Sequence, residues 1–331
     1  MERFALAAAV VLGFALTAAL CSLFVPLRRV LERREQQQQP VQSEQPRPAP
    51  LRAPLWGGLC AAAGTVAAVG VGWLAACVGQ PELLGSEGRL MTRLLTALAG
   101  SLAFGAVGLA EDVARMRSPA ALGLRRDVRL LLEALAAAFV LLLLQAAGCL
   151  PRGLDVPGAG YVLLGSAVPF LWAVLMVTLA ECARVAERDE GTVCGAAFVA
   201  MLALMMVEAG LGVSGLAVLP AALAGALVAL GLWAFPPARL GAGCCGSLLA
   251  AGAIGCIPLS LDMTSLTVPL ALPFWAAGGL LAAQLLCAKR TGKPLRCWVK
   301  KHKMSPETVF LCSFALSAVG YVLALALLRW C

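Results

Sequence analysis

The chain has 331 residues, of which 61% are hydrophobic and 13% charged, with a formal net charge of +8. A soluble domain carries about 25% charged residues, so this composition excludes a soluble globular protein and describes a polytopic membrane protein. The positive balance reads as a topology signal and as attraction to anionic lipid headgroups, with no nucleic-acid footprint.

A hydrocarbon core of about 30 Å takes about 20 apolar residues per helix. Runs of that kind recur at 4–26, 55–78, 93–110, 128–149, 159–180, 193–208, 213–233, 243–261, 264–288 and 308–329. They predict an all-α, polytopic membrane protein with about ten transmembrane helices in a single domain. Nine or eleven spans stay open, because 193–208 is short and 243–261 abuts 264–288. The first run lacks a small-residue cleavage site before Arg28-Arg29 and is expected to remain as the first helix.

Lys and Arg concentrate in alternate connections, which hold 21 of the 26 basic residues. The positive-inside rule then places connections at about 27–54, 111–127, 181–192, 234–242 and 289–307 in the cytoplasm and both termini outside. Residues 35–50, with Gln36 to Gln39 and four prolines, read as a solvated loop. The 13 cysteines fall almost entirely inside apolar spans, where a thiol behaves as a small hydrophobe. They imply no disulfide framework.

Five polar clusters lie at the cytoplasmic ends of these runs, where charge near hydrocarbon is costly to keep. Arg52-Ala-Pro-Leu-Trp-Gly-Gly58 opens the second helix, where Pro and Gly serve capping and close packing. Gly108-Leu-Ala-Glu-Asp-Val-Ala-Arg115, with Gly123-Leu124, Arg129 and Glu133 downstream, offers carboxylates for metal or acid–base work and cations for phosphate oxygens. The alternative is a charged helix end with Glu111 and Arg115 as an i,i+4 pair.

The stretch from Glu181 to Gly195 repeats charge every third residue at Glu181, Arg184, Glu187 and Glu190. That period gathers them at a helix end, where Arg184 can pair with carboxylates on either side and compete with a divalent cation for their oxygens. A mixed-charge turn that only stabilises its helix remains an equal reading. Trp233 to Leu248 contains Pro236-Pro237-Ala238 and Gly243-Cys244-Cys245-Gly246-Ser247, which end one helix and start the next under close packing. The last cluster runs from Thr291 to Phe310 and holds Lys300-Lys301-His302. Its lysines suit anionic lipid or phosphate, and a lone histidine among lysines is more often a solvated surface residue than a catalytic one.

Taken in order, the five clusters resemble the phospho-N-acetylmuramoyl-pentapeptide transferases and their wider family of polyprenyl-phosphate N-acetylhexosamine-1-phosphate transferases. Glu111 and Asp112 fall on the family's acidic pair, Arg115 and Arg129 on its two lysines, and Glu133 on its glutamine. Glu187 and Glu190 stand at two aspartates, and Pro236, Pro237, Ala238, Gly243, Gly246, Ser247 and Leu248 match directly. The resemblance implies a multi-pass protein of a bacterial cytoplasmic membrane that moves a phospho-amino-sugar from a UDP-linked donor to a polyprenyl phosphate. It also implies Mg2+ as the cofactor of an active centre, and it leaves the oligomeric state open, a homodimer included.

Several positions depart from that pattern. Glu181 and Arg184 replace two asparagines, and Ala234 replaces another. Cys244 occupies the position of the aspartate that the resemblance makes the magnesium ligand. A thiol is a soft ligand where magnesium takes hard oxygens. Lys300-Lys301-His302 stand where the family has three histidines, in a shorter loop. Two readings follow: a transferase with an altered site using Glu111, Asp112, Glu187, Glu190 and His302, or a silent relative that holds lipid phosphate through Arg115, Arg129, Lys300 and Lys301. A third, an unrelated transporter, finds little support in spans nearly free of charge.

Overall fold

The computed structural model describes residues 2–38, 56–79, 88–117, 123–151, 153–156, 160–163, 165, 167–187, 191–213, 215–235, 238–291 and 305–330. Helices dominate them, as the apolar runs require. They are α1 (Glu2–Gln38), α2 (Gly57–Gly79), α3 (Gly88–Arg117), α4 (Arg126–Ala146), α5 (Ala167–Ala186), α6 (Thr192–Gly210), α7 (Val218–Ala234), α8 (Gly243–Ser260), α9 (Thr267–Leu270), α10 (Leu272–Thr291) and α11 (Pro306–Trp330). Between α4 and α5 a short antiparallel hairpin pairs β1 (Gly153–Val156) with β2 (Gly160–Leu163), Gly153 opposite Leu163. This hairpin takes residues that the apolar run at 159–180 assigned to a helix, and α5 starts only at Ala167.

Among the described residues seven helices are long and apolar enough to cross a membrane: α1, α2, α3, α5, α6, α8 and α11. An eighth arises if the stretch Thr264–Leu270 and Leu272–Gln284 counts as one span broken by 65°. The break has a covalent cause. Pro273 has no N–H to return to the carbonyl of Pro269 four residues earlier, so the helical ladder cannot run through the pair. At 17 residues α7 falls just short of the seven candidate spans.

At the centre stands α8, every residue of which is buried. Its sequence explains why: Gly, Ala, Cys and Ser present little bulk, so neighbouring backbones come close, and in lipid such packing replaces the hydrophobic effect as the source of helix association. The seam between α3 and α8 shows this directly, with Gly105 against Leu249, Gly252 against Ser101 and Phe104, and Gly100 against Cys256. Helix α2 meets α8 through Gly58. Helix α1 lies against both α2 and α7, with Gly64 on Thr17 and Gly225 on Val10.

Candidate functional site

Five helix ends converge at one face of the bundle: the C-termini of α3 and α5 and the N-termini of α4, α6 and α8. Residues 111–117 continue α3 through its last turns, so Glu111, Asp112 and Arg115 project from a helix against its neighbours. Glu111 is 2% exposed and Asp112 1%.

Asp112 reaches across to α8. Its Oδ1 accepts a hydrogen bond of 3.0 Å from the Cys244 N–H and its Oδ2 one of 2.9 Å from the Cys245 N–H. The first N–H groups of a helix lack intrahelical partners and carry partial positive charge. Ala242, at the N-cap of α8, supplies no side-chain bond to them. Asp112 therefore caps α8 from another helix, with both oxygens engaged.

The backbone there leaves no room for larger residues. Gly243 has φ of +67°, a left-handed conformation that a side chain strains. A Cβ on Gly108 would run into the Cys244 carbonyl. That carbonyl also accepts from Ser247 Oγ at 3.1 Å. The Cys244 side chain is fully buried.

Beside this seam, α3, α4 and α5 meet through charge. Glu111 Oε1 lies 2.9 Å from Arg115, 3.7 Å from Arg129 and 3.6 Å from Arg184. Arg129 Nε donates to Glu181 Oε1 at 2.8 Å, and Arg184 also donates to Glu181. Arg115 reaches Glu187 at 3.7 Å, just beyond the end of α5. Three guanidiniums, one each from α3, α4 and α5, thus interleave with carboxylates of α3 and of the end of α5. Glu133, one turn along α4 from Arg129, is completely buried, and neither of its oxygens has a hydrogen-bond partner. Glu111 Oε2 is likewise buried without one.

The structure brings together Glu111, Asp112, Arg115, Arg129, Glu181, Arg184, Glu187 and Cys244. Ala234 ends α7 with its carbonyl against Gly191 at the start of α6. Next to it Phe235 meets Phe310 of α11 edge-on, ring centres 5.3 Å apart, and Phe310 packs on Gly195. These contacts bring parts of the third, fourth and fifth clusters together. Arg52, Glu190, Pro236, Pro237, Lys300, Lys301 and His302 lie outside the described residues.

Two carboxylates gain a significance that the spacing did not give them. Glu133 lies four residues from Arg129 on α4, but Arg129 turns to Glu181. Glu208, near the far end of α6, is 1% exposed with Oε2 unpartnered. Its one signal was a lone carboxylate ending an apolar run.

Magnesium does not fit these residues. Both oxygens of Asp112 hold backbone N–H groups, Glu111 Oε1 faces three guanidiniums, and position 244 offers a buried thiol in place of an oxygen ligand. Among the described residues no group of three or more His, Cys, Asp or Glu is placed to hold a metal ion.

Residues 94–262, just over half of the chain, match the family described as Glycosyl transferase family 4. The chain belongs to that family. The matched region contains the second, third and fourth clusters and the whole α3/α8 seam. The chain is also 33% identical over 170 residues to the phospho-N-acetylmuramoyl-pentapeptide-transferase of Desulforudis audaxviator (strain MP104C). That alignment covers 48% of this chain and 50% of its relative, so the chain spans about half the length of the curated relative it matches. Membership in this family of membrane phosphosugar transferases agrees with the seven apolar helices and makes this a multi-pass cell-membrane protein.

Proposed function

We propose that this glycosyl transferase family 4 member is catalytically silent. It keeps the scaffold and a lipid-phosphate site, and acts as a binding or regulatory partner in envelope-polymer synthesis. The observation that carries the reading is the engagement of Asp112. Both of its oxygens close the N-terminus of α8 at the residue where the family resemblance expects a magnesium aspartate and this chain has Cys244. The ion pairs of Arg184 add to it, since a guanidinium now neutralises Glu111 and Glu181 in place of a divalent cation.

In this reading about ten helices span the membrane as one domain, both termini lie outside, and the charged corner faces the cytoplasm. The five basic connections, at about 27–54, 111–127, 181–192, 234–242 and 289–307, face the same side. Arg115, with 22% of its side chain exposed, Arg129, Lys300 and Lys301 would bind the phosphate of a polyprenyl phosphate. Glu187, Glu190 and His302 take no part in transfer.

One observation favours a second reading, a transferase with an altered centre acting on a UDP-amino-sugar. Glu111 Oε2 and both oxygens of Glu133 are buried acceptors without protein partners, and such groups ordinarily find one. Purified protein separates the two. Silent binding predicts that polyprenyl phosphate co-purifies, detected by mass spectrometry, while labelled UMP does not exchange into any UDP-amino-sugar with magnesium present. Exchange would establish the second reading, and a folded protein free of lipid phosphate would remove the first.

A further inference from the structure

The two asparagine positions of the third cluster have changed to residues of opposite charge, Glu181 and Arg184, three residues apart on α5. They pair with each other, and each also reaches a different helix. Glu181 accepts from Arg129 on α4, and Arg184 lies 3.6 Å from Glu111 on α3. Neither works alone. A glutamate without Arg184 adds a negative side chain beside Glu111 and the buried Glu133, and an arginine without Glu181 leaves a guanidinium 14% exposed with one fewer partner. The net charge of the pair is zero, as it is for two asparagines.

From this we infer that Glu181 and Arg184 form a matched clamp, a built-in replacement for a divalent cation that holds the carboxylate-bearing ends of α3, α4 and α5 together without metal. The inference rests on the silent reading for the loss of the metal centre and goes beyond it in giving the substituted residues a task. A part-buried charge pair loses most when one member goes and less when both go, because only Arg129 is then left without its Glu181 partner. The clamp also makes stability independent of divalent cations, since a ligand stabilises a fold only by binding its native state.

The test is a double-mutant cycle on the full chain in detergent, read as the thermal midpoint with EDTA and with millimolar magnesium. Wild type should shift by less than about 1 °C between the two conditions. Arg184→Asn should lower the midpoint in EDTA by at least about 4 °C, and magnesium should restore part of that loss. Glu181→Asn should also lower it, and Glu181→Asn with Arg184→Asn should lie above either single variant.

Should Arg184→Asn fail to fold, the double variant decides: a midpoint above that of Glu181→Asn supports the clamp, and a double variant that is unfolded or no more stable than Glu181→Asn overturns it. A magnesium-dependent wild type overturns it as well. UMP exchange measured on the same preparations keeps the two claims apart. Exchange by wild type would remove the silent reading and leave the cycle standing, whereas an additive cycle without exchange would remove the clamp alone.

Discussion

The α3/α8 seam and the α3/α4/α5 corner lie side by side, share Glu111-Asp112 and are held together differently. At the seam, position 244 meets its neighbours through the backbone: its N–H donates to Asp112, and its carbonyl accepts from Ser247 and lies against Gly108. A carboxylate there can become a thiol and leave every one of those contacts in place. At the corner, side chains make the contacts, so a change in one charge demands a change in its partner, and Glu181 and Arg184 stand together. Backbone-held positions tolerate loss of chemistry without loss of fold. Side-chain-held positions must change in company.

Substitutions can break this contrast, the largest effect coming from the seam. Asp112→Ala strands two buried N–H groups at the start of the central helix and should cost about 3–5 kcal/mol, seen as loss of folded protein on size exclusion. Gly108→Val drives a side chain into the Cys244 carbonyl and should cost about 2–3 kcal/mol, read as a lower thermal midpoint with secondary structure intact. Glu133→Gln should change stability by about 1 kcal/mol or less, because it exchanges a buried carboxyl whose oxygens have no partners for an uncharged amide of the same shape. Cys244→Ala should change stability least, by about 1 kcal/mol or less, since only a thiol is removed. A large loss from Cys244→Ala would show that the thiol, not the backbone, matters at that position.

Much of the fold was legible because apolar run length reports directly on helices in lipid. The runs at 55–78 and 243–261 fall almost on α2 and α8. The hairpin at 153–163 escaped because Tyr161, Val162 and Leu163 are as apolar as a helix start, and hydropathy alone cannot tell the two apart. The break at Pro269 and Pro273 lies inside one apolar run for the same reason.

In the site, spacing placed Glu181, Arg184 and Glu187 on one helix end and paired Glu111 with Arg115, both local i,i+3 and i,i+4 relations. It could not reveal that Asp112 caps a helix 132 residues away, nor that Arg129 prefers Glu181 over Glu133. Those choices depend on which helices are neighbours, and no local period encodes that.

Whether the proposed silent centre transfers a phosphosugar is decided by magnesium-dependent exchange of labelled UMP into a panel of UDP-amino-sugars, with the Desulforudis audaxviator transferase as the positive control and Cys244→Asp with Arg184→Asn alongside. Wild type should show no exchange above a boiled sample, with any gain confined to the double variant. Wild-type exchange with any donor in the panel would contradict it.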